Sequence, residues 1–160
     1  MKAEYATDGD LNSNSEAQGG WDIDLWFKMK FDEVFCFFEV VIIQAKLNWY
    51  YANRMQDLKV FVVNTDTGID NLCGVLKISS DYTIEGQTYK IPCHLKCGNE
   101  VKLTLRHDRG SNSVGAVIHM REIMAFGAGM STKCLTHVAI PFRARIVIHL
   151  QLHFLKKNMN

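Results

Sequence analysis

Asp8 and Asp10 stand on either side of Gly9, the first place in the chain where side chains of one chemical kind are spaced to act together. Carboxylates so spaced on a Gly-containing loop offer hard oxygens to a cation that takes about six to eight of them, as calcium does. The same triplet also makes an ordinary turn, because Asp and Gly favour turns. Trp49, Tyr50 and Tyr51 form a run of aromatics between two apolar stretches, able either to stack on a ligand or to cap a core. Cys93-His94-Leu95-Lys96-Cys97 gathers soft metal ligands, but no second ligand pair at zinc-like spacing follows. Cys93 and His94 also fail as nucleophile and base, since neighbours on a strand point to opposite faces. Arg106-His107-Asp108-Arg109 lies between two late strands and reads as a solvated hairpin turn. No constellation supplies a nucleophile, a base and an orienting group, so the chain is not expected to be an enzyme.

The elements that must position these residues read as strands. Segments 35–44, 58–64, 73–78, 88–91, 101–105 and 114–126 are rich in Val, Ile and Phe, and polar turn clusters separate them at 64–68, 85–86 and 108–113. With no convincing helix and only two prolines, this spacing predicts an all-β sandwich or barrel. Residues 1–20 are polar and read as a loop. Residues 128–160 follow a Gly-Ala-Gly hinge and form a separate segment whose late alternation (Ile146, Ile148, Leu150, Leu152, Phe154) is strand-like.

A chain of 160 residues is enough for one domain with a proper core. The formal net charge of +1 hides an asymmetry. Residues 128–160 hold Lys133, Arg143, Arg145, Lys156 and Lys157 and no acid, leaving 13 basic against 17 acidic side chains before them, a net −4. A folded part of that sign lacks the basic face of a nucleic-acid binder. No stretch has the length and purity of a membrane span, and the first residues show no apolar signal-peptide core. The five cysteines are an odd number, which argues against a complete disulfide framework and leaves room for one bridge; Cys36 sits in a buried-looking run and reads as core.

Trp21-Asp-Ile-Asp-Leu25, then Val34 and Glu39-Val-Val-Ile-Ile43, resembles the W-x-V-D-L … V-x-x-V-x-I segment of galactose-binding-like (discoidin-type) β-sandwiches. The run Ile118 to Gly127 resembles their closing strand. Within that superfamily the chain is most similar to the F-type lectin (fucolectin) domain. Ala6-Thr-Asp-Gly-Asp10 looks like that family's A-x-D-G-N loop, and Arg54 to Val63 like its R-L-x-x-F-E-V-R-V strand. Leu72-Cys-Gly74, Gly86-Gln-Thr-Tyr … Cys93 and Gly98 to Leu103 match its later motifs in order. The likeness covers about residues 5–127, so a domain at 1–127 is followed by a tail at 128–160. The family's usual first strand has no counterpart.

The resemblance implies a galactose-binding-like jelly roll, a glycan partner of the fucose type, a calcium cofactor and an extracellular setting such as innate recognition, with oligomers possible. Calcium ligands carried over are Asp8, Asp10, Ser13 (Ser15 is the rival choice) and Glu122; the bridge carried over is Cys73–Cys93, with Cys97 a competitor for Cys73. Both partners of the family's other long bridge are absent, Arg121 standing at one of their positions. The family grips fucose with a His in an early loop and a motif R-x-D-x-x-x-x-R/K containing adjacent cysteines. Arg54 matches the last base of that motif, Leu47 stands at the first Arg, Trp49 at the Asp, and Tyr50 and Tyr51 at the cysteines; a one-residue slip would let Lys46 serve as the first base. Loop 11–20 has no His. A site that loses two of three positioned donors loses most of its affinity. The expectation is therefore an altered or lost sugar site, with Arg54, Trp49, Tyr50 and Tyr51 as the remaining candidates and the aromatics filling space more than replacing contacts. The alternatives are a non-lectin domain that binds a protein or membrane surface, and a non-functional fragment truncated at its N-terminus.

Overall fold

The computed structural model describes residues 6–10, 15–19, 21–44, 53–78, 87–109 and 115–129. Trp49, Tyr50, Tyr51, Ser13 and the tail from residue 130 onward lie outside them. Six antiparallel strands are found among the described residues: β1 (Ser15–Gln18), β2 (Leu25–Gln44), β3 (Lys59–Asn64), β4 (Ile69–Val75), β5 (Thr88–Leu105) and β6 (Val117–Gly129). Their hydrogen-bonded order is β1-β6-β2-β5-β3-β4.

Two long strands build both layers of a β-sandwich. Residues 25–30 of β2 and 100–105 of β5 lie with β3 and β4, whereas 35–44 and 88–98 lie with β6 and β1. Both halves close on one core, in which Leu25, Phe27, Met29, Val60, Val62 and Leu103 from one layer join Val40, Ile42, Ile91, Ile118, Met120 and Ile123 from the other. The first half of β2 alternates strictly, Leu25, Phe27 and Met29 buried and Trp26, Lys28 and Lys30 turned outward, as a half-wet strand must.

The corner between the layers has a physical cause in the sequence. The β2–β5 register jumps from Lys30 opposite Glu100 to Phe35 opposite Gly98, so four residues of β2 face one of β5 and the strand bends. The rings of Phe31, Phe35 and Phe37 fill the bend at centroid separations of 5.1 to 6.2 Å. Gly98 sits there because a Cβ would lie 2.3 Å from the Val63 carbonyl oxygen.

The structure departs from the sequence reading in several places: β2 begins at Leu25, ten residues ahead of the strand expected at 35–44, and β4 runs over Ile69–Val75 where 73–78 was expected. The segments expected at 88–91 and 101–105 are one strand, because the turn-like residues between them bulge without ending the ladder. Residues 15–18, expected within a loop, form β1 by pairing Ser15 to Gln18 with Met120 to Val117. The hinge expected at Gly127-Ala128-Gly129 is the end of β6, opposite Phe37, Cys36 and Phe35. Small residues stand there for close approach, since a Cβ on Gly127 would lie 2.8 Å from the Cys36 carbonyl oxygen. Among the described residues no helix is long and apolar enough to cross a membrane.

Candidate functional site

The acidic loop and the closing strand meet. Gly9 takes a left-handed φ of 75°, which turns its N–H to donate to Glu122 Oε2 at 3.0 Å. The Asp10 N–H donates to Asp8 Oδ1 at 2.9 Å and fixes the turn. Asp8 and Asp10 are exposed and Glu122 is only 7% exposed. Burial raises the Glu122 pKa above its usual value, the Gly9 hydrogen bond pulls it part-way back, and the Asp8 charge raises it further. Such a carboxylate favours a proton or a cation nearby. Carboxylate oxygens are the donor type that calcium takes. Among the described residues, however, no three His, Cys, Asp or Glu side chains form a ready ligand group. Ser13 lies outside the described residues, and Ser15 is in β1 opposite Met120.

Arg54 lies in a short 3-10 turn, Asn53–Met55, just ahead of β3. Its Nε donates to the Gly115 carbonyl oxygen at 2.9 Å, binding the turn to the segment that enters β6. The rest of this strand-end is held by the backbone. Asp57 N–H donates to Leu76 O at 3.0 Å, Leu76 N–H to Leu58 O at 2.7 Å, and Ile78 N–H to the Gln56 side-chain oxygen at 2.8 Å.

His107 is a structural residue that sequence reasoning missed. It is buried, its Nε2 lies 2.9 Å from the Gln56 carbonyl oxygen, and its own carbonyl accepts the Asp22 N–H at 2.8 Å. The stretch 106–109 is therefore a solvated turn only in part: Arg106, Asp108 and Arg109 are exposed, and His107 is a post between three segments. No local signal marks it, because its partners are distant in sequence.

Cys73 and Cys93 are joined, with a Cα–Cα distance of 4.4 Å, and the bridge ties β4 to the opposite layer. Cys36, expected to be an unpaired core residue, is instead bonded to Cys97 across 3.9 Å between Cα atoms. The reason is register: the two face each other directly on β2 and β5, a fact only the folded ladder supplies. Between the bridged Cys93 and Cys97 the chain bulges. Phe37 pairs with Lys96 and Glu39 with Pro92, so Cys93, His94 and Leu95 oppose Phe38 alone. His94 and Leu95 take φ of 53° and 59°, and Leu95 is 64% exposed.

No family model matches the chain, and no curated protein matches it. Solved structures do. A fucolectin from striped bass (Morone saxatilis) serum is similar over 81% of this chain with a TM-score of 0.61 at 14% identity, and the chain spans 42% of that protein's length. A Streptococcus pneumoniae fucose binding module, SpX-3, has a TM-score of 0.56 at 12% identity, covering 81% of this chain and 85% of that one. The C-terminal domain of a Bacteroides fragilis chitobiase has a TM-score of 0.62 at 11% identity, covering 81% of this chain and 83% of that one. Identities this low establish the fold alone, a galactose-binding-like β-sandwich of the kind found in F-type lectins.

Proposed function

From that shared sandwich we propose that the chain is a non-enzymatic, extracellular glycan-recognition module of the F-type lectin kind, with a loop steadied by calcium and an altered sugar site. The observation that carries this reading is the junction of the Asp8-Gly9-Asp10 loop with Glu122 on β6 at 3.0 Å, set within a fold whose neighbours include modules described as binding fucose and a lectin domain complexed with Lewis b antigen. Asp8, Asp10, Glu122 and Ser13 would hold the cation, which supplies charge neutralisation that fixes the loop. Arg54 is the basic residue that the family motif and this chain share, and here its Nε is committed to Gly115. The sugar contacts proposed are Arg54 together with Trp49, Tyr50 and Tyr51, with fucose-type glycans the class expected. Two disulfides support an oxidising setting.

A glycan array probed with the 160-residue chain, with and without calcium, tests this. Binding that weakens about tenfold or more in Arg54→Ala is expected, and calcium at 100 times its dissociation constant should add about 2.7 kcal/mol of stability. Calcium should leave the melting temperature of Glu122→Gln unchanged. No binding to any glycan would sink the reading. Exposed Phe38, its ring 6.4 Å from Phe126, and exposed Leu72 and Leu95 favour a second reading, a protein-binding surface on the same fold. Pull-down that survives Arg54→Ala but fails in Phe38→Ser would mark it.

A further inference from the structure

A cleft of about 310 Å³ opens where β2 begins, β5 ends and β3 begins, lined by Asp24, Asp57, Lys59, Thr104, Leu105 and Arg106. We propose that this cleft is a second recognition site, distinct from the loop around Arg54, which takes one ring of a neutral saccharide. The inference rests on the reading of the chain as a glycan-binding module and names a place for the glycan that the family motif does not.

Three properties of the cleft select such a ligand. The first is charge balance. Its walls carry two carboxylates and two cations, and the next neighbours keep the balance: Arg106 Nε donates to Asp108 Oδ1 at 2.6 Å and its Nη1 reaches Asp24 at 3.4 Å, while Lys77 pairs with Asp57. An ion entering would meet an opposite charge and an equal like charge together. Hydroxyl groups gain from both, donating to the carboxylates and accepting from Lys59 and Arg106 without dissolving a pair.

The second property is that the backbone carrying the two carboxylates is fixed. Asp57 is held at a φ of 66°, a conformation an ordinary side chain rarely adopts, with its N–H on the Leu76 carbonyl. Asp24 follows a segment tied down at Asp22, whose N–H is on His107 O and whose Oδ1 accepts the Arg109 N–H at 3.2 Å. Groups fixed before binding lose little freedom on binding. Lys59 makes no ion pair among the described residues, so its ammonium is a donor for a ligand. The third property is shape. Leu105 closes the floor from within the core, Thr104 adds a hydroxyl, and the volume is at the low end of the ~300–1,000 Å³ of small-molecule clefts, which fits a single ring. Because the charged groups are largely exposed, binding is weak, on the order of millimolar.

The test is a two-dimensional amide NMR titration of the full chain with neutral methyl glycosides of galactose, fucose and N-acetylglucosamine, and with inorganic phosphate and glycine as probes. Saturable shifts at Lys59, Thr104, Leu105 and Arg106 with at least one glycoside are expected. The dissociation constant read at these four amides should rise tenfold or more in Lys59→Ala and in Asp24→Asn, with thermal melts confirming that each variant folds. Glycoside shifts that fall only around Arg54, and that Lys59→Ala leaves alone, overturn the cleft while the lectin reading stands. No amide responding to any glycoside overturns both. Saturation by phosphate or glycine alone shows an ion site and overturns the proposal.

Discussion

At Glu122 a single carboxylate reports on the state of its surroundings. Its pKa is raised in the folded chain by burial and by Asp8, so the native state holds a proton more tightly than the unfolded chain does. Stability from this group is therefore full below the ordinary value of 4.5 and is lost as pH rises through the raised folded value. In calcium-free buffer, urea unfolding at pH values rising from 4 should show that decline, and Glu122→Gln should remove it. An unchanged pH slope in the variant would contradict the assignment. The spacing of Asp8 and Asp10 was legible as donor chemistry, but Glu122, a strand away and 113 residues later than Gly9, came into view only through the family resemblance. His107 was invisible for the same reason: burial by remote segments leaves no mark on neighbouring residues.

Among the elements, β5 carries the most information. Its bulge holds two non-glycine residues at positive φ, which costs about 1–2 kcal/mol for each. Leu95 is mostly solvent-exposed, so Leu95→Gly removes that strain while sacrificing little buried surface. A gain of about 1 kcal/mol in chemical denaturation is expected, and a loss would mean that Leu95 packs on something. The Cys36–Cys97 bridge closes a long loop, with a sequence separation of 61. The double variant Cys36→Ala/Cys97→Ala should lose about 2–4 kcal/mol under oxidising conditions. Most strands were readable from their Val, Ile and Phe content, and the turns from Asn, Asp and Gly, but β1 and the first half of β2 were not. What local pattern could not give was continuity and pairing. A bulged strand reads as two strands, a run of Gly-Ala-Gly reads as a hinge, and facing cysteines on β2 and β5 read as unrelated.

For the whole molecule, the sandwich class was legible because alternation, turn spacing and the ordered motifs agree, whereas the corner that splits β2 and β5 between layers depends on the Gly98–Val63 approach and on three phenylalanines meeting in space. The two bridges have a further effect at this scale, because Cys73–Cys93 lies inside the span that Cys36–Cys97 encloses. Covalent rings nested in this way shield their contents from tension. A module stretched between its ends carries load through residues before Cys36 and after Cys97 alone, with the bridge itself as the link. Single-molecule pulling of the oxidised chain should release a contour shorter by about 200 Å than that of the reduced chain. A load applied at the two ends would lengthen the chain only to that limit, leaving β3, β4 and most of β5 shielded from the pull.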